Sequence, residues 1–268
     1  MMAAAIATGC NGGKASQKAE ISLPDGVAQY EMDGFTVTWI RDNAQPRMNQ
    51  VSLFSNVPED AAEEFAGGIP SSMSAVVIQQ NGKIALFDTG MGSAGSMLLP
   101  SLDSLGIAPE DVDYLCITHL HGDHIGGMSK NGAPVFPNAQ LYIGKVEYDA
   151  WMAMDEARSA QPKAMIEPYG DKLNLFEYNE KLPMGIVGLD SHGHTPGHVS
   201  FVKDNVMVAG DIMHGVALQI EHPECNASFD MDPEAAVASR KAMLSLAKEK
   251  KMLVCGMHFP EGGAIDLR

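Results

Sequence analysis

Residues 119–124 read HLHGDH, and they directly follow the apolar run DYLCIT. On a chain that leaves a strand, side chains at positions i and i+2 point the same way, so His119 and His121 can bind one metal ion through imidazole nitrogens. Asp123 and His124 then face a second ion. The glycines that accompany this motif let the backbone turn sharply enough to bring all four side chains inward. The segment therefore predicts a metal site at the end of a buried strand.

A second group of metal-ligand residues follows later in the chain. Residues 192–198 read HGHTPGH and contain His194, the strand-like run VMVAGD ends on Asp211, and a last apolar run, MLVCGM, leads into His258. One carboxylate can bridge two cations, so Asp211 is suited to hold two ions roughly 3.5–4 Å apart. A single histidine at the end of a strand, such as His258 taken alone, would be explained more simply as a hydrogen-bonded side chain that binds no metal. The recurrence of the pattern favours a dinuclear site over a histidine-rich surface loop.

Composition limits the kinds of partner. Lys and Arg number 18 against 34 Asp and Glu, so the formal net charge of −16 repels phosphate backbones and anionic lipid headgroups. We therefore expect a small-molecule substrate and no nucleic acid. The four cysteines form no C-x-x-C pair, and Cys116 and Cys255 lie in apolar runs, which places them in the core. The sequence leaves the oligomeric state open, with a homodimer among the alternatives.

The first 20 residues differ from the rest. MMAAAIATGC resembles a bacterial lipoprotein signal that would carry a lipid anchor on Cys10, although it lacks a basic start and its apolar run is short. The alternative is a disordered start. We expect residues 1–20 to be a signal-like or disordered segment and residues 21–268 to form one domain, in the cell envelope as a lipoprotein or else in the cytoplasm. No run approaches the roughly 20 apolar residues of a membrane span.

Local patterns predict the elements between the motifs. Two strand-like runs, SAVVIQQ and KIALFD, flank Asn81-Gly82 and predict a hairpin. LLPSLDSLG and EYDAWMAMDEARSA are each typical of one helix, and Asp232 with Pro233 can begin another. Residues 42–72 are rich in Asn, Pro, Gly and Ser and are interpreted as a long irregular stretch, either a flap or a mobile surface loop.

Together with FDTG at residues 87–90, these motifs resemble the metallo-β-lactamase superfamily over about residues 70–260. The resemblance implies a mixed α+β (α/β) fold, a four-layer αββα sandwich with two metal ions at one edge. We expect zinc, with Mn²⁺ or Fe²⁺ as alternatives. The residues that the resemblance assigns to the first ion are His119, His121 and His194; those for the second are Asp123, His124 and His258; and Asp211 bridges. By the same resemblance Asp88 and His198 support the ligands without binding metal.

The resemblance also narrows the activity. Asp211 stands where common dinuclear β-lactamases have cysteine, which argues against a β-lactamase. Ten residues follow His258, which argues against a thioesterase of the glyoxalase II type. The stretch GDIMHGVALQIEHPE and the later FDMD look most like quorum-quenching lactonases and organophosphate hydrolases. We therefore expect a hydrolase of lactones, esters or phosphotriesters, in which Asp123 moves a proton to the leaving group. An iron-dependent oxidoreductase of sulfur compounds and a metal-binding envelope protein without turnover remain alternatives.

One position in this branch departs from the lactonase pattern. Related lactonases carry a tyrosine three residues after the bridging aspartate, where this chain has His214. His214 is a candidate proton donor to the substrate oxygen, and a supporting or loop histidine is the alternative interpretation.

Overall fold

The computed structural model describes residues 23–268, so the signal-like segment with Cys10 lies outside the described residues and its interpretation stays a prediction. The strands in chain order are β1 (Val27–Met32), β2 (Phe35–Arg41), β3 (Arg47–Asn49), β4 (Phe54–Ser55), β5 (Ile69–Ser71), β6 (Ser74–Gln80), β7 (Lys83–Phe87), β8 (Tyr114–Ile117), β9 (Ser129–Lys130), β10 (Ala133–Pro134), β11 (Gln140–Gly144), β12 (Leu173–Phe176), β13 (Val187–Asp190), β14 (Val199–Lys203), β15 (Val206–Val208), β16 (Asn226–Ala227), β17 (Leu253–Cys255) and β18 (Ala264–Asp266). The helices are α1 (Glu59–Glu64), α2 (Leu98–Ser104), α3 (Gly122–Ile125), α4 (Lys145–Met152), α5 (Glu156–Ile166), α6 (Val216–Glu221) and α7 (Pro233–Lys250).

The larger sheet has seven strands in the order β1-β2-β6-β7-β8-β11-β12. Its first four strands are antiparallel, and β7, β8, β11 and β12 run parallel. The predicted hairpin is confirmed between β6 and β7, where Asn81 and Gly82 take φ values of 51° and 73°. These left-handed conformations are the ones that a two-residue hairpin with the right twist requires.

The second sheet has five strands in the order β13-β14-β15-β17-β18. It packs face to face on the first sheet through a shared core in which Val76 and Phe87 of one sheet meet Phe201 and Cys255 of the other. Alternate residues of the same strands, such as Val77, face the opposite side, as the period of two along a strand requires. Two apolar faces therefore remain to be covered by helices.

Helices cover both outer faces. Leu98 and Leu102 of α2, with Trp151 of α4, pack on the seven-stranded sheet, while Met243 and Leu244 of α7 pack on the five-stranded sheet. Helix α7 begins as predicted, because the Asp232 side chain accepts a hydrogen bond from the Ala235 amide and Pro233 takes the first helical position. The predicted four-layer αββα sandwich is confirmed.

One predicted helix is divided in two. The segment EYDAWMAMDEARSA spans the end of α4 and the start of α5, and the chain leaves the helix between them. Asp155 has a non-helical backbone, with ψ at 161°, and its carboxylate accepts from the Arg158 amide at 3.1 Å, so it starts a new helix instead of continuing the old one. The single-helix prediction was wrong because an aspartate competes with the helix interior as an N-cap.

The stretch 42–72 is more ordered than its composition predicts. It contains β3, β4, β5 and α1, and the short strands pair as β3-β5 and β4-β16. Phe54 and Ile69 from this stretch pack with Leu218 and Cys225 in a small separate core. The interpretation as an irregular flap is therefore corrected, because side chains distant in the sequence supply the apolar contacts that hold it.

Cys116 and Cys255 are both buried, as predicted. Burial raises the pKa of the Cys255 thiol to about 12. A thiol in such surroundings is inert. Among residues 23–268, no helix has the length and apolar character needed to cross a membrane.

Candidate metal centre

The HLHGDH segment lies at the carboxyl end of β8, on the edge where the two sheets meet. His119 follows the strand by two residues and is fully buried, and α3 then carries Asp123 and His124. His194 comes from the loop between β13 and β14 of the other sheet, Asp211 follows β15, and His258 follows β17. The seven residues predicted as ligands therefore arrive from both sheets at one place.

Three imidazole nitrogens converge at the first position. Nδ1 of His121 lies 3.0 Å from Nε2 of His119 and 2.9 Å from Nε2 of His194. Nδ1 of His194 is bonded to Oδ1 of Asp230 at 2.9 Å, which leaves its Nε2 lone pair directed at the other two rings. Two donors bound to one tetrahedral zinc at ~2.0–2.1 Å lie about 3.3 Å apart. The spacing of these nitrogens fits a shared cation.

The protonation states agree with that fit. Burial, reinforced by neighbouring histidines, lowers the pKa values of His119 and His194 well below the usual value. Both imidazoles are therefore neutral and can offer a lone pair, as metal ligands must.

A second position is formed by Asp123, His124 and His258, whose ligand atoms lie within 4.8 Å of one another. Nδ1 of His124 is bonded to Oδ2 of Asp88 at 2.8 Å, and Nδ1 of His258 is bonded to the carbonyl oxygen of Ser72 at 2.9 Å. In each ring the remaining Nε2 therefore faces the inside of the site. Such outer contacts fix the tautomer and the orientation of metal-binding histidines.

Asp211 lies between the two positions. Its Oδ2 atom is 3.4 Å from Nε2 of His194 and 3.1 Å from Nε2 of His258, and its Oδ1 atom is 3.2 Å from Nε2 of His124. Within residues 23–268, Oδ1 of Asp211 and Nε2 of His124 are buried without a hydrogen-bond partner. Two such atoms facing each other are what a cation between them would satisfy. This observation fits a carboxylate that bridges two divalent ions.

Charge reinforces this position of Asp211. Burial alone would raise the pKa of Asp211, but the neighbouring His124, His258 and His214 hold it well below the usual range. Asp211 is therefore an anion at neutral pH, which suits a metal ligand. The assignment of the seven residues to the two ions, with Asp211 shared between them, remains a prediction.

His198, expected to support the ligands, uses both ring nitrogens within the protein. Nδ1 lies 2.9 Å from the Ser191 hydroxyl oxygen, and Nε2 accepts from the amide of Asp211 at 2.9 Å. It therefore has no lone pair left for an ion and fixes the backbone at Asp211 instead. His192, by contrast, is exposed beside Asp190 and lies outside the centre.

His214, the candidate proton donor, lies in the wall of the centre. Its Nε2 is 3.0 Å from Oδ2 of Asp211, and its ring stacks on His258 at 4.8 Å between centroids. The ring of Phe229 covers another edge at 4.6 Å. Within the described part of the chain, Nδ1 of His214 is buried without a hydrogen-bond partner. Its proton-donor role stays a prediction.

An open cavity of about 250 Å³ leads to these residues. Five of the seven ligand candidates form its floor, namely His121, Asp123, His194, Asp211 and His258, and its remaining walls come from Arg47, Asn49, Leu53, His214 and Phe229. Sequence reasoning missed Arg47, Asn49 and Leu53, because they lie in the stretch interpreted as irregular. The one local signal was that Arg47 and Asn49 are two residues apart, so that on a strand both side chains face the same side.

The side chains that hydrogen-bond to the predicted metal-binding histidines were also not identified from the sequence. Asp230 lies in the FDMD stretch, but its contact with His194 joins residues 36 positions apart, a pairing that leaves no mark on local sequence. Arg240 of α7 is fully buried with Nη2 at 3.7 Å from Oδ2 of Asp230, and it also donates to the carbonyl oxygens of Ile212, Pro223 and Cys225.

Known proteins share this sequence pattern. N-acyl homoserine lactonase AiiA of Bacillus thuringiensis subsp. kurstaki is 28% identical to the chain over 160 residues, which cover 57% of this chain and 58% of the relative. The match thus spans less than two thirds of that lactonase. A probable metallo-hydrolase of Methanocaldococcus jannaschii is 27% identical over 165 residues, covering 61% of this chain and 66% of the relative.

Solved structures share the fold. The hydrolase AbOPH, described as belonging to the β-lactamase superfamily, superposes with a TM-score of 0.80 at 26% identity, covering 91% of this chain and 94% of its own. AidC, described as a dizinc quorum-quenching lactonase in complex with a product, superposes with a TM-score of 0.78 at 25% identity, covering 90% and 93%. The family model described as the metallo-beta-lactamase superfamily matches residues 68–258, which include all seven predicted ligands. The chain belongs to the metallo-β-lactamase superfamily.

Proposed function

We propose that the chain is a two-zinc hydrolase that opens lactones, with related esters and phosphotriesters as slower substrates. The observation that carries the proposal is the position of Asp211 between two sets of metal-ligand side chains at the floor of an open cavity. The similarity to lactonases supports the choice of substrate class.

Zinc is the metal that we propose for both positions. The donors are imidazole nitrogens and carboxylate oxygens, which zinc accepts in four- or five-coordinate sites. When bound, such ions lower the pKa of water towards ~7 and polarise a carbonyl oxygen. The protein holds the ligands in place through Asp88, Asp230 and the carbonyl of Ser72.

The cavity walls suit a substrate with distinct polar and apolar parts. Leu53 and Phe229 contribute apolar surface, while Arg47 and Asn49 contribute polar groups. The volume of about 250 Å³ accommodates a small ring and its ester group, since cavities for drug-sized ligands are usually ~300–1,000 Å³. The rest of a longer substrate extends past Phe229, which is 42% exposed.

Two side chains are placed to handle protons. Asp123 lines the cavity with Oδ2 at 3.6 Å from Nε2 of His258, and we assign to it the transfer of a proton to the leaving alkoxide. We assign His214 a hydrogen bond to the oxygen of the substrate, because its ring lines the same cavity. Asn49 donates to the carbonyl oxygen of His214 at 2.7 Å, which ties this residue to the cavity wall.

The test is a substrate panel on zinc-loaded protein. Acyl homoserine lactones, simple γ-lactones, a neutral phosphotriester, S-lactoylglutathione and a cephalosporin are compared by kcat/KM. We expect a lactone to have the highest value. If S-lactoylglutathione or the cephalosporin exceeds every lactone by tenfold, a difference of ~1.4 kcal/mol in transition-state binding, the lactonase proposal is lost. Oxidation of a sulfur compound by iron-loaded protein with no hydrolysis by either metal form would favour the oxidoreductase alternative.

A further inference from the structure

Glu147 is a buried carboxylate that lies outside the set of predicted ligands. It belongs to the first turn of α4, is 1% exposed, and accepts four hydrogen bonds. Oε1 accepts from the Leu120 amide at 2.9 Å and from the Trp151 indole N–H at 2.6 Å. Oε2 accepts from the Thr195 hydroxyl and the Gly197 amide, both at 2.8 Å. Burial raises the pKa of Glu147, and these four donors oppose the rise.

Three of the four donors come from the two segments that carry the first set of histidines, and the fourth, Trp151, lies one turn further along α4. Leu120 lies between His119 and His121, on the segment that follows β8 of the larger sheet. Thr195 and Gly197 follow His194, on the loop between β13 and β14 of the smaller sheet. A single carboxylate thus joins the two sheets at the point where their histidines meet.

The contact between the loop and α4 is close enough to require a glycine. A Cβ atom added at Gly197 would lie 2.1 Å from the backbone nitrogen of Glu147. The loop after His194 therefore rests directly on the start of α4, and its distance from the HLHGDH segment is set through Glu147.

His121 depends on this arrangement more than its neighbours do. The outer nitrogen of His194 is fixed by Asp230, whereas no hydrogen bond to Nε2 of His121 occurs among residues 23–268. The ring of His121 instead lies edge-on to Trp151, with centroids 5.5 Å apart. Glu147 holds that indole through its N–H and holds the backbone next to His121 through the Leu120 amide.

We infer that Glu147 is a positioning residue for the first metal position. Its carboxylate holds the two histidine segments and Trp151 at the separation at which the nitrogens of His119, His121 and His194 converge. The second position is held by other contacts, at Asp88 and Ser72. The inference rests on the proposed metal centre, and it predicts that loss of Glu147 weakens one position selectively.

The experiment measures zinc affinity one position at a time. A His258→Ala background leaves the three-histidine set intact, and a His121→Ala background leaves the set of Asp123, His124 and His258. In each, zinc binding to chelator-stripped protein is measured by competition with a chromophoric chelator, with and without Glu147→Gln. The glutamine keeps the volume but turns an NH₂ group towards two donors.

We expect Glu147→Gln to weaken zinc binding about 10–100-fold in the first background, the range for loss of an outer contact, and less than about threefold in the second. Glu156→Gln, an exposed residue of α5, is the matched control and should change neither. Equal weakening in both backgrounds, in step with a lower melting temperature of the metal-free protein, would assign Glu147 a merely structural role. Unchanged affinity in the first background would also overturn the inference.

Trp151→Phe provides a second variant that keeps an aromatic ring at this position but removes the N–H donor together with part of the indole ring system. It should weaken zinc binding in the first background by a smaller factor than Glu147→Gln, and a larger effect in the second background would contradict the inference. If both parent backgrounds and the unaltered protein bind no zinc, the proposed metal centre itself fails, which is a different outcome from zinc bound equally well with and without Glu147.

Discussion

Asp230→Asn removes a buried negative charge that lies between a predicted zinc ligand and a buried arginine. The side chain of Asp230 is fully buried, with Oδ1 at 2.9 Å from Nδ1 of His194 and Oδ2 accepting from the Ala227 amide at 3.1 Å. Asparagine keeps the shape, but it bonds His194 as a neutral acceptor and presents an NH₂ group to the Ala227 N–H. Arg240, with no exposed surface, loses its charge partner.

The substitution should lower both the stability of the metal-free protein and its affinity for zinc. Removing one partner of a buried ion pair costs 3–5 kcal/mol, and we take the lower end, about 3 kcal/mol, because the pair is 3.7 Å apart and Arg240 keeps three carbonyl acceptors. For a chain of this size that corresponds to a melting temperature about 6–12 °C lower. Separately, loss of the charged partner of His194 should weaken zinc binding about 10–100-fold, or about 1.4–2.7 kcal/mol of binding free energy.

Measuring the stability of the metal-free protein and its zinc affinity separately assigns one effect to Arg240 and the other to His194. Thermal unfolding of chelator-stripped protein reports the loss at Arg240, and zinc competition reports the loss at His194. Asp171→Asn, an exposed aspartate, changes the net charge equally and should change neither value. If Asp230→Asn leaves the melting temperature of the metal-free protein within about 2 °C and the zinc affinity within about threefold, the network of His194, Asp230 and Arg240 does not act as described.

Elemental analysis of protein saturated with zinc or manganese should find two ions per chain, because seven ligands exceed the needs of one ion, and a single ion at saturation would contradict this. Asp211→Ala should lower the occupancy of both positions together, and full occupancy with full activity would disprove the bridge. His214→Phe should lower kcat for lactones by about 10²–10⁴-fold if the residue donates a proton, with partial recovery in His214→Tyr, whereas an unchanged kcat would make it a wall residue. Expression in a bacterial host with a labelled fatty acid tests the signal-like segment: a labelled acyl chain on Cys10 would support the lipoprotein expectation, and recovery of unacylated cytoplasmic protein with an intact Met1 would count against it.

Local sequence specified the elements whose signals are local. Asn81 and Gly82 can take left-handed backbone conformations at little cost, so the hairpin was readable from two residues. Asp232 and Pro233 marked the start of α7 in the same way. Where two local signals competed, as at Asp155 within a helix-like run, periodicity alone gave the wrong answer, because the capping hydrogen bond ended one helix and began another.

The sequence by itself determined which side chains are available to bind metal. The spacing of HLHGDH after an apolar strand, the HGHTPGH motif and the two strand ends at Asp211 and His258 together predict a dinuclear site. Only the tertiary structure decided what holds them. Glu147 joins loops about 75 residues apart in the chain through three hydrogen bonds, and Arg47 reaches the cavity through a short strand pairing with β5. Such contacts depend on how two sheets and their helices pack, and packing brings together residues whose separation in sequence carries no periodic signal.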